Sequence, residues 1–282
     1  LIAHLAGAGH RHVLRVACRT ERGARAANED FMGLADLGPR GLCCVLSDGA
    51  GGHGNGALAA RITVDAVLEA WRQHPLFSPA GLASLISMAE QAVASEQPTS
   101  VSRREMTATV VMLCIDPLGE RALWAHWGDS RLYWFRGGVV CSITQDHSVV
   151  QQLRKAGLYK DEDLRQLPHR NVLVGAVGAD SQVPPSVLQQ AVDLHAGDAF
   201  LLCSDGLWDR LDEPAMEAAL KRCPSPAVWL DRMAQSVLAA ERPDQDNLSA
   251  LAVWIAPGDD EAGAELPEPP PAAAAATEPD PS

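Results

Sequence analysis

No stretch of this 282-residue chain is apolar for long enough to cross a bilayer as a helix. Basic residues are also scarce: 23 Lys and Arg stand against 36 Asp and Glu, giving a formal net charge of −13. No basic stripe interrupts that excess, which argues against nucleic acid as a partner. The seven cysteines (Cys18, Cys43, Cys44, Cys114, Cys141, Cys203 and Cys223) are odd in number and never fall in a CxxC spacing. A zinc site is therefore not expected, and several of them lie in apolar runs where cysteine acts as a small hydrophobe. That usage suits a reducing cytoplasm without structural disulfides. The opening LIAHLAGAGHRHVL is broken by His and Arg and does not have the form of a signal peptide.

The chain does carry many short apolar runs of strand length. Periodicity predicts strands at 13–20, 31–37, 41–47, 107–116, 121–127, 131–136, 139–144, 199–204 and 248–255. Helical spacing appears at 56–72, where Ala60, Val64, Val67, Leu68 and Trp71 share one face. Further helices are predicted at about 80–95, 147–156, 213–221 and 226–240. Most strands are joined by connections too short for a crossover helix, so antiparallel pairing is expected. The class is α+β, with sheets covered by helices rather than alternating βαβ units. Residues 1–12 read as an N-terminal extension, in which His10 and His12 are expected to be solvated. Residues 257–282 carry seven acids and no Lys or Arg, are rich in Pro and Ala, and read as a disordered tail.

Acidic residues recur at the strand ends: NED at 28–30, SDGAGGH at 47–53, GDSR at 128–131, SDGLWD at 204–209 and PDQDN at 243–247. One Asp-Gly after a strand is ordinarily a turn. Five such sites in one sandwich can gather carboxylates into a single cleft, where they repel one another unless a cation is present. An all-oxygen set suits hard ions such as Mg²⁺ or Mn²⁺. The glycines after Asp48 would let backbone approach an ion, with the Gly49 carbonyl as a further donor.

The ordered set R-x-x-N-E-D from Arg25, D-G-x-G-G-H, G-D-S-R, S-D-G-L and D-N resembles the metal-dependent protein phosphatases of the protein phosphatase 2C family, in their compact bacterial form. The resemblance covers residues 13–256 as one catalytic domain. It implies a four-layer α-β-β-α sandwich of two mainly antiparallel sheets flanked by helix pairs, with residues 145–170 as a flap beside the cleft. It further implies that Asp48 bridges two metal ions, with Gly49 on one and Asp205 and Asp246 on the other. Glu29 and Asp30 would lie beside the pair, and Asp129 with Asp205 or Asp209 would hold a third ion. Arg25 would bind the substrate phosphate. Water activated between two ions roughly 3.5–4 Å apart would attack phosphorus directly, and no C-x5-R loop offers a cysteine nucleophile.

Several positions depart from the family pattern. Ala50 replaces a Met, and Thr107-Ala108-Thr109 replaces G-T-T, a change expected to concern strand packing. Gly175-Ala176-Val177-Gly178 lacks an arginine, which is expected to loosen that loop. The eukaryotic branch's leaving-group histidine is missing, which leaves His53 either as an accessory catalytic group or as a brace of the glycine turn. The implied function is Mg²⁺- or Mn²⁺-dependent hydrolysis of phosphoserine and phosphothreonine in proteins. A catalytically weak phosphoprotein-binding module on the same fold and a small-phosphoester hydrolase are the alternatives. The implied partners are phosphoproteins and a cognate Ser/Thr kinase with its targets, without membrane or nucleic acid, for a cytoplasmic monomer.

Overall fold

The computed structural model describes residues 3–5, 12–51, 55–97, 106–118, 120–158, 167, 171–181 and 183–258. One sheet runs in the order β1 (Ala3–Leu5), β2 (His12–Glu21), β13 (Leu248–Pro257), β12 (Ala199–Cys203), β8 (Arg131–Arg136) and β9 (Val139–Ile143). The other runs β10 (Ser186–Val187), β7 (Arg121–Trp127), β6 (Val110–Asp116), β4 (Leu42–Ala50) and β3 (Asp30–Asp36). To this second sheet β11 (Val192–Asp193) adds against β7 and β5 (Thr107–Ala108) against β4. Every pairing between these strands is antiparallel, as the short connections predict.

Strand β4 shows why two sheets need four layers. Leu42, Cys44 and Leu46 point between the sheets, against Val16, Leu202 and Val253. Cys43 and Val45, on the opposite face, meet α1 (Asn55–Gln73) and α2 (Pro79–Glu96). The alternation has period two, as a pleated strand requires, but both faces are apolar because both are covered. The first sheet is covered in the same way by α5 (Glu213–Leu220) and α6 (Pro226–Leu238), through Met216, Trp229 and Met233. Burial of these apolar faces is the main stabilising term, at about 25 cal/mol per Å² removed from water.

Helix starts are legible in the chain. Ser78 and Ser225 each precede a proline, and their hydroxyls accept from the backbone N–H of Gly81 and Val228. Proline at the first helical position forfeits only a donor that has no partner there. No described helix is long and apolar enough to cross a membrane. None of the seven cysteines, all among the described residues, is in a disulfide.

Three sequence expectations are revised. Strand 107–116 is broken at Thr109, which separates β5 from β6. His12 is not solvated chain: it belongs to β2, and its Nδ1 lies 3.5 Å from Glu120 Oε1. Ala3–Leu5, inside the expected extension, pairs with Leu14–Val16 as a sheet edge. His10, His53, most of the tail (259–282) and flap residues 159–166 and 168–170 lie outside the described residues.

Candidate active site

The acidic motifs meet at one end of the sandwich. Asp30, at the start of β3, sits directly across from Asp48 near the end of β4. The first sheet contributes Asp205, at the start of α4 (Asp205–Trp208) just after β12, and Asp246, just before β13. Asp48 and Asp205 feel one another and also Asp30, Asp129 and Asp246. These five, of the eight residues expected to bind metal, are therefore electrostatic neighbours, and Asp209 acts on Asp205 as well.

Burial, reinforced by these neighbouring charges, pushes the Asp48 and Asp205 carboxyls well above the usual carboxylate range. Asp129 rises to about 7, through burial first and then Asp146, with Arg131 opposing. Asp30 rises to about 6 through burial, partly offset by hydrogen bonds from Ser249 and Ser204. Glu29 is raised by burial while Arg25 pulls the other way. Such a cluster is costly with every member ionised, and a cation removes the cost.

The donor set fits a hard cation. It is built of oxygen, and one oxygen each of Asp30 and Asp205 (both Oδ1) is buried with no hydrogen-bond partner among the described residues. Among the described residues, no three His, Cys, Asp or Glu side chains form a set that could hold an ion as placed. The carboxylates are thus neighbours rather than a finished coordination shell. Asp209 lies 3.8 Å from the guanidinium of Arg210, which also reaches Asp244 at 3.1 Å. Arg25 is largely exposed, and its Nη2 contacts Asp246 Oδ2 at 2.5 Å. Its guanidinium is held more firmly protonated by that bond.

Gly49 shows a close approach of a different kind from the one expected. A methyl group there would lie 2.2 Å from the backbone of Gly56. The glycine thus seats the end of β4 against the first turn of α1, fixing the height of Asp48.

Four bracing residues escaped the sequence reading. The Asp48 N–H donates to Thr109 Oγ1 at 2.9 Å, and Thr109 shares a 2.7 Å hydrogen bond with Ser130 beside Asp129. Thr107 Oγ1 donates to the Ala50 carbonyl at 2.6 Å. The altered threonine motif therefore holds the Asp48 turn, beyond any role in packing. The Ser204 hydroxyl donates to Asp30 Oδ2 at 2.8 Å, across 174 residues of chain. Asn247 accepts from the Glu29 N–H and donates to the carbonyls of Arg22 and Ala27, clamping the Arg25 loop onto the start of β13.

The flap root is tied by a second polar cluster. Arg131 makes a two-pronged ion pair with Asp146, both contacts 2.8 Å, and lies 3.5 Å over the Trp208 ring. Trp208 Nε1 donates to the Asp129 carbonyl at 2.9 Å. His126 and His147 lie against one another beside it, tilted by 33° with ring centroids 4.7 Å apart. Burial lowers both to about 4, so they are neutral at pH 7. Where the glycine loop after the flap lacks an arginine, it packs against an indole. A side chain at Gly175 would meet Trp127 Nε1 at 2.5 Å, so the indole fills that space.

Comparison with known proteins places this geometry. The protein phosphatase 2C family model matches residues 19–249. The serine/threonine phosphatase stp of Listeria innocua is 29% identical over 209 residues, 72% of this chain and 81% of that protein. The serine/threonine protein phosphatase PstP of Mycobacterium tuberculosis is 31% identical over 234 residues, 82% of this chain and 43% of that protein. A crystal structure of the M. tuberculosis phosphatase PstP/Ppp matches the fold with a TM-score of 0.73 at 29% identity, covering 86% of this chain and 99% of the other. The PstP catalytic domain in complex with two manganese ions matches with a TM-score of 0.72 at 28% identity, over 87% of this chain and 99% of that one.

Proposed function

The chain belongs to the protein phosphatase 2C family and is a metal-dependent serine/threonine protein phosphatase, and from that premise we propose how its own residues divide the work. The observation that carries the proposal is the meeting of carboxylates from both sheets, two of them with a buried oxygen that nothing among the described residues bonds. Asp48 would be a ligand common to two Mn²⁺ ions, with the Gly49 carbonyl for one and Asp205 and Asp246 for the other. Glu29 and Asp30 would lie beside the pair. Mg²⁺ would serve in place of Mn²⁺, and Asp129 with Asp205 or Asp209 would hold a third, weaker ion. When bound, the ions activate water and offset charge on the phosphoryl oxygens.

The protein's own groups do the rest. Arg25, exposed at the mouth, has two guanidinium edges suited to a phosphate dianion, and the Asn247 clamp fixes its loop. Thr109 and Ser204 hold the Asp48 and Asp30 backbones and oxygens where charge is needed, so little reorganisation accompanies reaction. Hydrolysis joins the water oxygen to phosphorus, breaks the bond to the Ser or Thr oxygen, and returns a proton to that leaving oxygen. The substrates are phosphoproteins, with a cognate Ser/Thr kinase as the opposing activity, and the working form is a cytoplasmic monomer.

The test is turnover of a phosphothreonine peptide with Mn²⁺, with EDTA, and in Asp205→Asn. Activity is expected only in the first case. Turnover that survives both chelation and the substitution would overturn the assignment.

A further inference from the structure

An open cleft of about 410 Å³ lies immediately beside Arg25. Its walls are Glu21, Arg22, Gly23 and Ala24 on one side, and Leu238, Glu241, Arg242 and Gln245 on the other. The two walls are locked together from below. The Ala24 N–H donates to the Gln245 carbonyl at 2.9 Å. Gly23, in the left-handed region at φ 62°, leaves no room for a side chain against the Asp246 carbonyl, which a methyl group would meet at 2.3 Å. The floor is equally fixed: Gln245 is 4% exposed, and its amide nitrogen donates to the carbonyls of Gly206 and Asp246. The cleft is therefore a preformed feature, built on the same segments that carry Arg25 and Asp246.

Its charges are unevenly matched. Glu21 is held by Arg19 at 2.5 Å. Arg22 makes one long hydrogen bond, 3.4 Å to the Ala26 carbonyl, and no ion pair among the described residues. Arg242 and Glu241 likewise have no ionic partner among the described residues. The cleft is thus lined by two guanidinium groups and one carboxylate without an ionic partner among the described residues, with Glu21 offset by Arg19, in a protein whose net charge is −13. The Leu238 side of the cleft adds an apolar surface for the stem of a side chain.

Resting on the assignment of Arg25 as the phosphate anchor, we propose that this cleft receives an acidic side chain of the phosphoprotein, one or two residues from the phosphorylated Ser or Thr. The reach follows from chain geometry: Ala24 in the cleft wall adjoins Arg25, and successive residues of an extended peptide are about 3.3–3.6 Å apart. Arg22 and Arg242 offset the repulsion that the acidic protein otherwise presents to an acidic segment. Both arginines are exposed, so the discrimination is moderate and screened by salt. It appears in KM more than in kcat, since the contact is made equally in the bound substrate and the transition state.

The experiment compares three phosphothreonine peptides that differ only in having Asp, Ala or Lys on both flanks, using Mn²⁺-loaded full-length protein. At low salt the Asp peptide should exceed the Lys peptide in kcat/KM by roughly five- to tenfold. In the double variant Arg22→Ala, Arg242→Ala that ratio should collapse to about one, while turnover of p-nitrophenyl phosphate, which has no flanks, stays unchanged. An absent preference, or one that survives the double substitution, overturns the proposal. Failure of the parent reading looks different: no Mn²⁺-dependent turnover of any peptide or of p-nitrophenyl phosphate, which would remove the proposal with it.

Discussion

Asp146 is buried and Asp48 half-buried, and the two carboxylates are treated in opposite ways. Asp146 is matched group for group: both oxygens accept from Arg131, whose flat face is covered by Trp208. Asp48 has like charges around it, in Asp30, Asp205, Asp129 and Asp246, and burial raises its carboxyl far from its ordinary value. The two clusters touch, because the Trp208 indole also bonds the Asp129 carbonyl. A matched buried pair contributes order at little net gain in stability. An unmatched cluster costs stability, and a fold that retains such a cost points to function, which is the role proposed for these carboxylates. Side by side, they separate structural acidity from functional acidity without reference to sequence motifs.

The contrast breaks most severely at Asp48. Asp48→Asn should lower peptide turnover by about 10³-fold or more. The same change should raise the melting temperature of the metal-free protein, since it removes a repelling charge. A variant that loses activity and also melts lower in EDTA would put Asp48 on the structural side. At the matched cluster, Arg131→Met strands Asp146 and should cost about 3–5 kcal/mol in chemical denaturation. Adding Asp146→Leu should restore most of that loss, and an additive double variant would show that the pair is not a unit.

The smallest effect sharpens the comparison through pH. Asp30 and Asp129 stand at about 6 and 7, above the unfolded value of 3.8, so their contribution is full in acid and lost as pH rises through those values. His126 and His147 stand at about 4, below their unfolded 6.5, so theirs is full above pH 6.5 and lost as pH falls toward 4. In EDTA the two trends oppose, but Asp48 and Asp205 are raised as well, so the carboxylates outweigh the histidines and the melting temperature should fall between pH 5 and 7.5. Saturating Mn²⁺ favours the ionised carboxylates, leaving the histidine trend, so the melting temperature should climb across the same window. Parallel pH curves with and without Mn²⁺ would show that the carboxylates do not meet the ion.

The acids themselves were legible in the chain because each sits in a short local motif at a strand end, and the sheet order then gathers them. The braces were not. Thr109, Ser204 and Asn247 reach partners 61, 174 and 218 residues away, and no local spacing encodes such a pairing. Thr109 was further hidden because its break between β5 and β6 falls inside a run that reads as one continuous strand. The elements β1, β10 and β11 are two or three residues long, too short for an alternation to be recognised. The five long helices and nine long strands were readable because their periodicity is sustained and, for α2 and α6, announced by Ser-Pro caps.

Strand β13 is inserted between β2 and β12, pairing with β2 along its full length from Leu248–Glu21 to Pro257–His12. It is therefore the last described strand of the sandwich in chain order and the one that β2, the earliest long strand, waits for. Asp246 and Asn247 arrive with it, so the Arg25 loop has no clamp until synthesis has passed them. Contacts of such sequence separation form late and slowly. On the roles proposed for Asp246 and Arg25, a nascent chain should display most of its acidic motifs before it can act on a phosphoprotein, with competence expected only once the first sheet closes.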